Sequence, residues 1–300
     1  MTNDKSFIAL LMDKASFPIE SREPLLCDYE RLTDDPDCAS LFQRAKELYF
    51  RPIDQDETGK MLEEAAKNIG IDLKTVQFLF LLHCSEGLYR LYIEKGLDET
   101  MFCDLSVDFR CKLIECHNLY GIWGTTVFWW FHRHFLVDRF ALGRFQYESA
   151  AFEADSYVCG DIVLSRGDRV YNFHIPSCGP IPRDVRMDSY KRAFEFFGGA
   201  QKGYIPLVCN SWLIYPEYRD VFPSGSNIRS FYDDFDIIRS GETDRFYELP
   251  RVFNMPCGTD PSKLPSDTSL RRAFIEYLKN GGSAGWGYGI IIFDGEKIVN

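Results

Sequence analysis

From Cys38 to about Phe135 apolar residues recur at helical spacing and no stretch alternates convincingly with period two; near residue 140 this gives way to short strand-like runs. The two periods belong to different secondary structures, so the switch predicts a helical first half and a mixed α/β second half. In the first half Leu41, Ala45 and Leu48 share one face, as do Met61, Leu62, Ala65, Ala66 and Ile69 farther on. Asp72 is placed to cap a helix running from residue 73 to about 95, with Gly96 just past its end. Met101, Leu105, Phe109 and Leu113, four apart, predict a further helix over 99–118. Residues 1–36 are mixed, with Pro18, Pro24 and Pro36 read as breaks in the pattern.

In the second half, 144–150 and 157–164 read as strands. The polar turn Ser165-Arg166-Gly167-Asp168-Arg169 would return the chain into a strand over 170–175, forming a hairpin. A Pro/Gly loop, 176–182, precedes a helix over 186–197 closed by Gly198-Gly199. A strand over 207–215 ends at Pro216, 226–238 is compatible with helix or strand, and 270–279 is a helix stopped by Gly281-Gly282. Gly285-Trp286-Gly287-Tyr288-Gly289 leads into a last strand over 290–293. Because it follows a helix and precedes a strand, it is no dinucleotide-binding fingerprint.

At 45% hydrophobic and 26% charged, the chain has the composition of a globular protein. The net charge of −11 argues against a phosphate backbone as partner, so no nucleic acid is expected. No apolar run approaches the roughly 20 residues needed to span a bilayer, and no secretory signal is evident, so no membrane partner is expected. The 10 cysteines are scattered without a C-x-x-C pair, so neither a zinc knuckle nor a thioredoxin-type redox pair is signalled, and the length and the lack of a secretory signal favour a reducing, cytoplasmic location. His132 and His134 are two apart and Cys116-His117 adjacent, unlike a helical zinc pair, so no metal is expected. The oligomeric state is not encoded in any recognisable pattern.

Several ordered phrases go beyond general fold grammar: Phe173-His174-Ile175-Pro176 with Gly179-Pro180-Ile181; Cys209-Asn210-Ser211-Trp212-Leu213-Ile214-Tyr215-Pro216; and Ser226-Asn227-Ile228 with Phe231 and Phe235. Leu264-Pro265 before Thr268-Ser269-Leu270-Arg271-Arg272, and then Gly285-Trp286-Gly287, complete the set. Taken in order, they resemble a bacterial family of GNAT-like N-acyltransferases. The resemblance implies an α+β chain: a helical N-terminal domain (1–138) followed by a GNAT-like mixed β-sheet domain flanked by helices (139–300). It further implies transfer of an acyl group from acyl-CoA, as co-substrate, to a small amine or similar acceptor. A non-catalytic ligand-binding or interaction protein is the alternative.

Domains of that kind separate a pair of parallel strands, here 170–175 and 207–215, so that freed backbone groups bond the pantetheine arm. The site residues follow from that expectation. His174, at the end of the first strand, is the candidate general base. Ile175, Ser177, Gly179 and Arg183 border the cofactor, and Asn210, Ser211 and Trp212 carry polar atoms toward the acceptor. The loop departs from the usual pyrophosphate-binding pattern of Gln or Arg, two residues, Gly, one residue, then Gly or Ala. Its prolines Pro176, Pro180 and Pro182 remove three amide donors, and Arg183 offers a side-chain donor in their place. Cys178 or Cys209 acting with His174 would be an alternative nucleophile, given a thiolate-stabilising environment.

Overall fold

A computed structural model describes residues 4–244, 246, 249–256 and 258–300; Cys257 lies outside them. The chain divides into two compact units, Met1–Phe140 and Ala141–Asn300.

The first unit is helical: α1 (Asp4–Lys14), α2 (Ile19–Asp34), α3 (Pro36–Tyr49), α4 (Asp56–Ile69), α5 (Leu73–Glu94), α6 (Glu99–Tyr120) and the single turn α7 (His132–Phe135). The prolines do not break residues 1–36 as expected. Pro18 caps α2, and Pro36 opens α3, where its missing N–H is no loss. Pro24 is accommodated inside α2. The Asp72 carboxylate accepts the Lys74 N–H at 2.8 Å and starts α5. Phe78 to Leu82 are all buried, so α5 is enclosed on every side over that stretch and runs through the centre of this unit. Among the described residues no helix is long and apolar enough to cross a membrane.

The second unit carries strands β1 (Arg139–Leu142, which begins just before it), β2 (Phe145–Ala151), β3 (Ser156–Cys159), β4 (Ile162–Ser165), β5 (Arg169–His174), β6 (Ile205–Ser211), β7 (Asp236–Thr243) and β8 (Ala284–Phe293). Its helices are α8 (Arg183–Phe196), α9 (Gly199–Lys202), α10 (Asn227–Tyr232), α11 (Leu249–Phe253) and α12 (Ser269–Lys279). Six strands form one mixed sheet in the order β1-β2-β5-β6-β8-β7, and β3 pairs only with β4. The β5–α8–β6 crossover joins parallel strands, as such a connection requires.

Three expectations for this half are corrected. The stretch 157–164 is itself a hairpin, not one strand: Cys159 pairs with Ile162, and Gly160 (φ +55°) with Asp161 makes a two-residue turn. The partner of β5 is therefore β2, paired from Gln146↔His174 to Ala151↔Arg169. The strand expected over 207–215 ends at Ser211, after which Trp212–Ile214 form a 3-10 turn capped by the Ser211 hydroxyl. The glycine run is not a lead-in but belongs to β8. Gly285, Gly287 and Gly289 share one face of the strand, and a Cβ on each would stand 2.4 Å from the Tyr215 ring, 2.0 Å from the Ile214 carbonyl oxygen and 2.8 Å from the Phe235 ring. Their small size lets this segment approach as a strand. The undecided stretch 226–238 holds both α10 and the start of β7.

One sheet face packs aromatic side chains under α8 and α10, with Phe145 against Phe173 at 5.0 Å and Phe173 against Phe235 at 5.9 Å between ring centroids. The other face buries Val170, Val208, Ile290 and Ile292 with Phe152, Ala154 and Leu164.

Candidate active site

The parallel strands β5 and β6 pair only at Tyr171↔Leu207 and Asn172↔Val208. Yet β5 continues to His174 and β6 to Ser211. Each keeps its outer neighbour over that length: β2 still faces His174, and β8 still faces Cys209, Asn210 and Ser211. The sheet is thus held from both sides while its middle opens. Edge backbone groups there face across a gap where a polar, extended ligand can add as a strand would.

Alternation places Gln146 and Glu148 of β2, Asn172 and His174 of β5, and Asn210 of β6 on the same face of the sheet. This polar row continues the face whose other end is the Val170–Val208–Ile290 cluster. Gln146 and Glu148 are buried. The Glu148 Oε1 accepts from Asn172 Nδ2 at 3.2 Å and stands 3.0 Å from His174 Nε2; Asn172 Nδ2 lies 3.2 Å from the same ring nitrogen. Sequence reading found His174 but missed Glu148. It sits 26 positions away, and only the β2–β5 register brings it opposite Asn172.

The loop after His174 is organised by Arg144. Its guanidinium donates to the carbonyl oxygens of Pro176 at 2.7 Å, Gly179 at 2.8 Å and Pro180 at 3.3 Å. The rigid fork of Arg suits three convergent acceptors, so this side chain sets the loop's shape. Ser177 and Gly179 are exposed, and Ile175 is half-buried. Gly179 has φ +94°, a conformation that glycine adopts without strain. Arg183 starts α8 with an exposed side chain, 3.6 Å from Asp234. Behind it, fully buried Arg186 binds both Asp234 oxygens, the Ser230 hydroxyl at 2.8 Å and the Ser230 and Ile181 carbonyls at 3.0 and 3.3 Å.

On β6 the polar residues divide by environment. Asn210 is exposed, the Ser211 hydroxyl accepts the Leu213 N–H at 3.2 Å, and Trp212 packs against Tyr218, Phe222 and Phe274. The Cys209 thiol lies on the opposite face, fully buried, and burial pushes its pKa far above the usual thiol value. It is therefore held as an inert thiol, not a thiolate nucleophile. In the helical unit, a cleft of about 190 Å³ is lined by Phe7, Leu11 and Phe102, with the Lys14–Glu99 ion pair (3.3 Å) at its rim. None of the residues singled out by sequence lies there. Among the described residues no group of three or more metal-ligating side chains occurs.

An N-acyltransferase N-terminal domain model matches residues 6–137, and a GNAT-like C-terminal domain model matches residues 140–291. The chain belongs to the GNAT-like N-acyltransferase family with a helical N-terminal domain. Solved structures share the fold of this family member. An acyltransferase in complex with decanoyl-CoA and teicoplanin is 19% identical with a TM-score of 0.72, over 94% of this chain and 86% of that one. An acyltransferase in complex with CoA and 10C-teicoplanin is 20% identical with a TM-score of 0.72, over 93% and 85%. An acyltransferase in complex with decanoyl-CoA is 21% identical with a TM-score of 0.70, over 94% and 86%. No curated protein matches the sequence.

Proposed function

We propose that the protein is an acyl-CoA-dependent acyltransferase that acylates a small amine where β5 and β6 diverge. The observation that carries this reading is the gap beyond Asn172↔Val208, bordered by a polar row that includes His174. Three similarly folded acyltransferases are described as complexes with decanoyl-CoA or CoA, which supports the same donor here.

The pantetheine arm would lie along the separated edges, bonding strand amides and carbonyls. The pyrophosphate would sit by the loop around Gly179 and the first turn of α8, where helix-end N–H groups favour an anion. Arg183 would turn toward it. Leaving Asp234 costs little, because Arg186 already holds that carboxylate. The amine attacks the thioester carbonyl carbon, forming a C–N bond. The C–S bond then breaks and the sulfur leaves as the thiol of coenzyme A. His174 takes the proton from the attacking nitrogen and returns it to the leaving sulfur. Positioning and carbonyl polarisation by backbone donors supply the rest of the rate. Asn210, on the same face, would orient the acceptor.

The test is thiol release from acyl-CoAs of graded chain length with a panel of amines. Amine-dependent release that falls by about 100-fold or more in His174→Gln agrees with a general base. Release unchanged by that substitution removes His174 from the chemistry.

A further inference from the structure

We infer that Glu148 is the positioning residue for His174: it fixes the imidazole as the Nε2–H tautomer, makes Nδ1 the basic atom, and holds the imidazolium formed during turnover. The role rests on His174 being the base proposed above. The tautomer itself rests on the contact geometry and on Glu148 being ionised.

Two observations carry it. First, the nitrogen that meets the carboxylate is identified. Nε2, not Nδ1, lies 3.0 Å from Glu148 Oε1. An ionised carboxylate is acceptor-only, so a short contact to it is favourable only if Nε2 bears the hydrogen. Neutral imidazole carries one hydrogen, so Nδ1 then holds the lone pair. The Asn172 Nδ2 donates to the same Oε1 at 3.2 Å and also lies 3.2 Å from Nε2, a contact that would favour an accepting Nε2. The charge-assisted contact to the carboxylate is the shorter and the stronger of the two, so it decides the tautomer.

Second, the carboxylate is placed for a role that solvent could not fill. Glu148 is buried, at 6% exposure, on a central strand opposite Asn172. Burying a carboxylate is expensive unless it is paired. Its position on the sheet gives it little freedom to move away from His174. When Nδ1 accepts a proton, the positive ring remains hydrogen-bonded to a fixed negative partner, so little reorganisation accompanies the transfer. Carboxylate–histidine pairs elsewhere use this same division of labour, the acid orienting the ring without taking the proton.

The deciding measurement is long-range ¹H–¹⁵N correlation of the histidine rings in uniformly labelled protein. The chain has only 5 histidines, and the His174 signals are assigned by their loss in His174→Gln. The expected spectrum shows His174 protonated at Nε2 and bare at Nδ1. Glu148→Leu should give a mixture of tautomers, whereas Glu148→Gln, which keeps an acceptor oxygen, should retain the Nε2–H form. In turnover, Glu148→Leu should lower kcat by about 100-fold with KM for acyl-CoA nearly unchanged. Glu148→Gln should fall between that variant and wild type. Matching far-UV spectra and melting curves establish that each variant is folded, and Glu148→Gln keeps the test alive if the leucine variant is not.

An Nδ1–H tautomer in the wild-type protein overturns the assignment. An unchanged kcat in both folded Glu148 variants of an active enzyme overturns the positioning role. If the wild-type protein turns over no acyl-CoA with any amine, the acyl-transfer reading fails and the positioning role with it, while the spectrum still decides the tautomer.

Discussion

Arg186 of α8 and Asp234, in the turn before β7, meet out of solvent in a two-pronged ion pair that fastens the helix behind the loop to the segment entering the sheet edge. The Tyr190 hydroxyl adds a further donor to the carboxylate at 3.3 Å. Breaking a buried pair by removing one partner leaves the other charge unpaired, at a cost of about 3–5 kcal/mol. Arg186→Met and Asp234→Leu should each destabilise by that order. The double variant should lose less than their sum, because neither charge is then left behind. Denaturant unfolding of the three variants checks this; additive losses would contradict the coupling.

The glycines of β8 and the glycine inside α4 should respond oppositely to alanine. A Cβ at Gly287 meets the Ile214 carbonyl oxygen at 2.0 Å, and backbone yields less readily than a flexible side chain. Gly287→Ala should therefore destabilise by about 3 kcal/mol or more, a backbone-strain effect beyond the usual range for point changes. At Gly59 nothing lies within 4 Å, and Gly59→Ala should stabilise by about 0.5–1 kcal/mol through helix propensity. Melting temperatures moving in the same direction for both variants would show that the close approach of β8 is wrong.

Arg144 should matter to ligand affinity more than to folding. It is partly exposed, and its three carbonyl partners all lie in the loop 176–180. Arg144→Ala should weaken coenzyme A binding by about tenfold or more, as a preorganised loop becomes one that must be ordered on binding. Arg144→Lys should not restore it, since a point charge does not span three acceptors. Calorimetric titration compares the variants; equal affinity in all of them would dissociate the loop from the cofactor.

His83 gives the helical unit a pH dependence. Burial, reinforced by nearby Lys46, lowers its pKa from 6.5 to about 4, and its Nδ1 lies 2.7 Å from the Tyr29 hydroxyl. The folded state disfavours the charged form, whereas the unfolded chain protonates normally. Stability from this site is therefore complete above about pH 6.5 and falls as pH drops toward 4, by on the order of 2 kcal/mol at about pH 5. Denaturant unfolding of wild type and His83→Phe across that window should show a shallower decline in the variant. Parallel declines would place the acid sensitivity elsewhere.

The helical half, the mixed half and the β5–loop–α8–β6 order were legible because each rests on local periodicity, capping or turn chemistry. Asp72 announced α5, and His174 was visible as a polar side chain ending an apolar strand. The errors came where tertiary contacts decide. Gly160-Asp161 was a readable turn signal, but the stronger polar cluster at 165–169 drew the hairpin to the wrong place. Pro24 looked like a break, yet α2 runs through it and buries Leu25, Tyr29 and Leu32. The β8 glycines looked like a loop because their partners, Tyr215, Ile214 and Phe235, are distant in sequence. Glu148 and Arg186 stayed hidden for the same reason: a buried charge is indistinguishable from a surface charge until its partner is known.

The most direct test of the central claim, that the separated strands hold an acyl-CoA, is the melting temperature of the protein titrated with coenzyme A and with acetyl- to decanoyl-CoA. A ligand that binds only the folded state stabilises it by about 2.7 kcal/mol at a hundredfold excess over Kd. The account predicts a dose-dependent rise, reduced in Arg144→Ala. An unchanged melting temperature with every one of these ligands at millimolar concentration would contradict it.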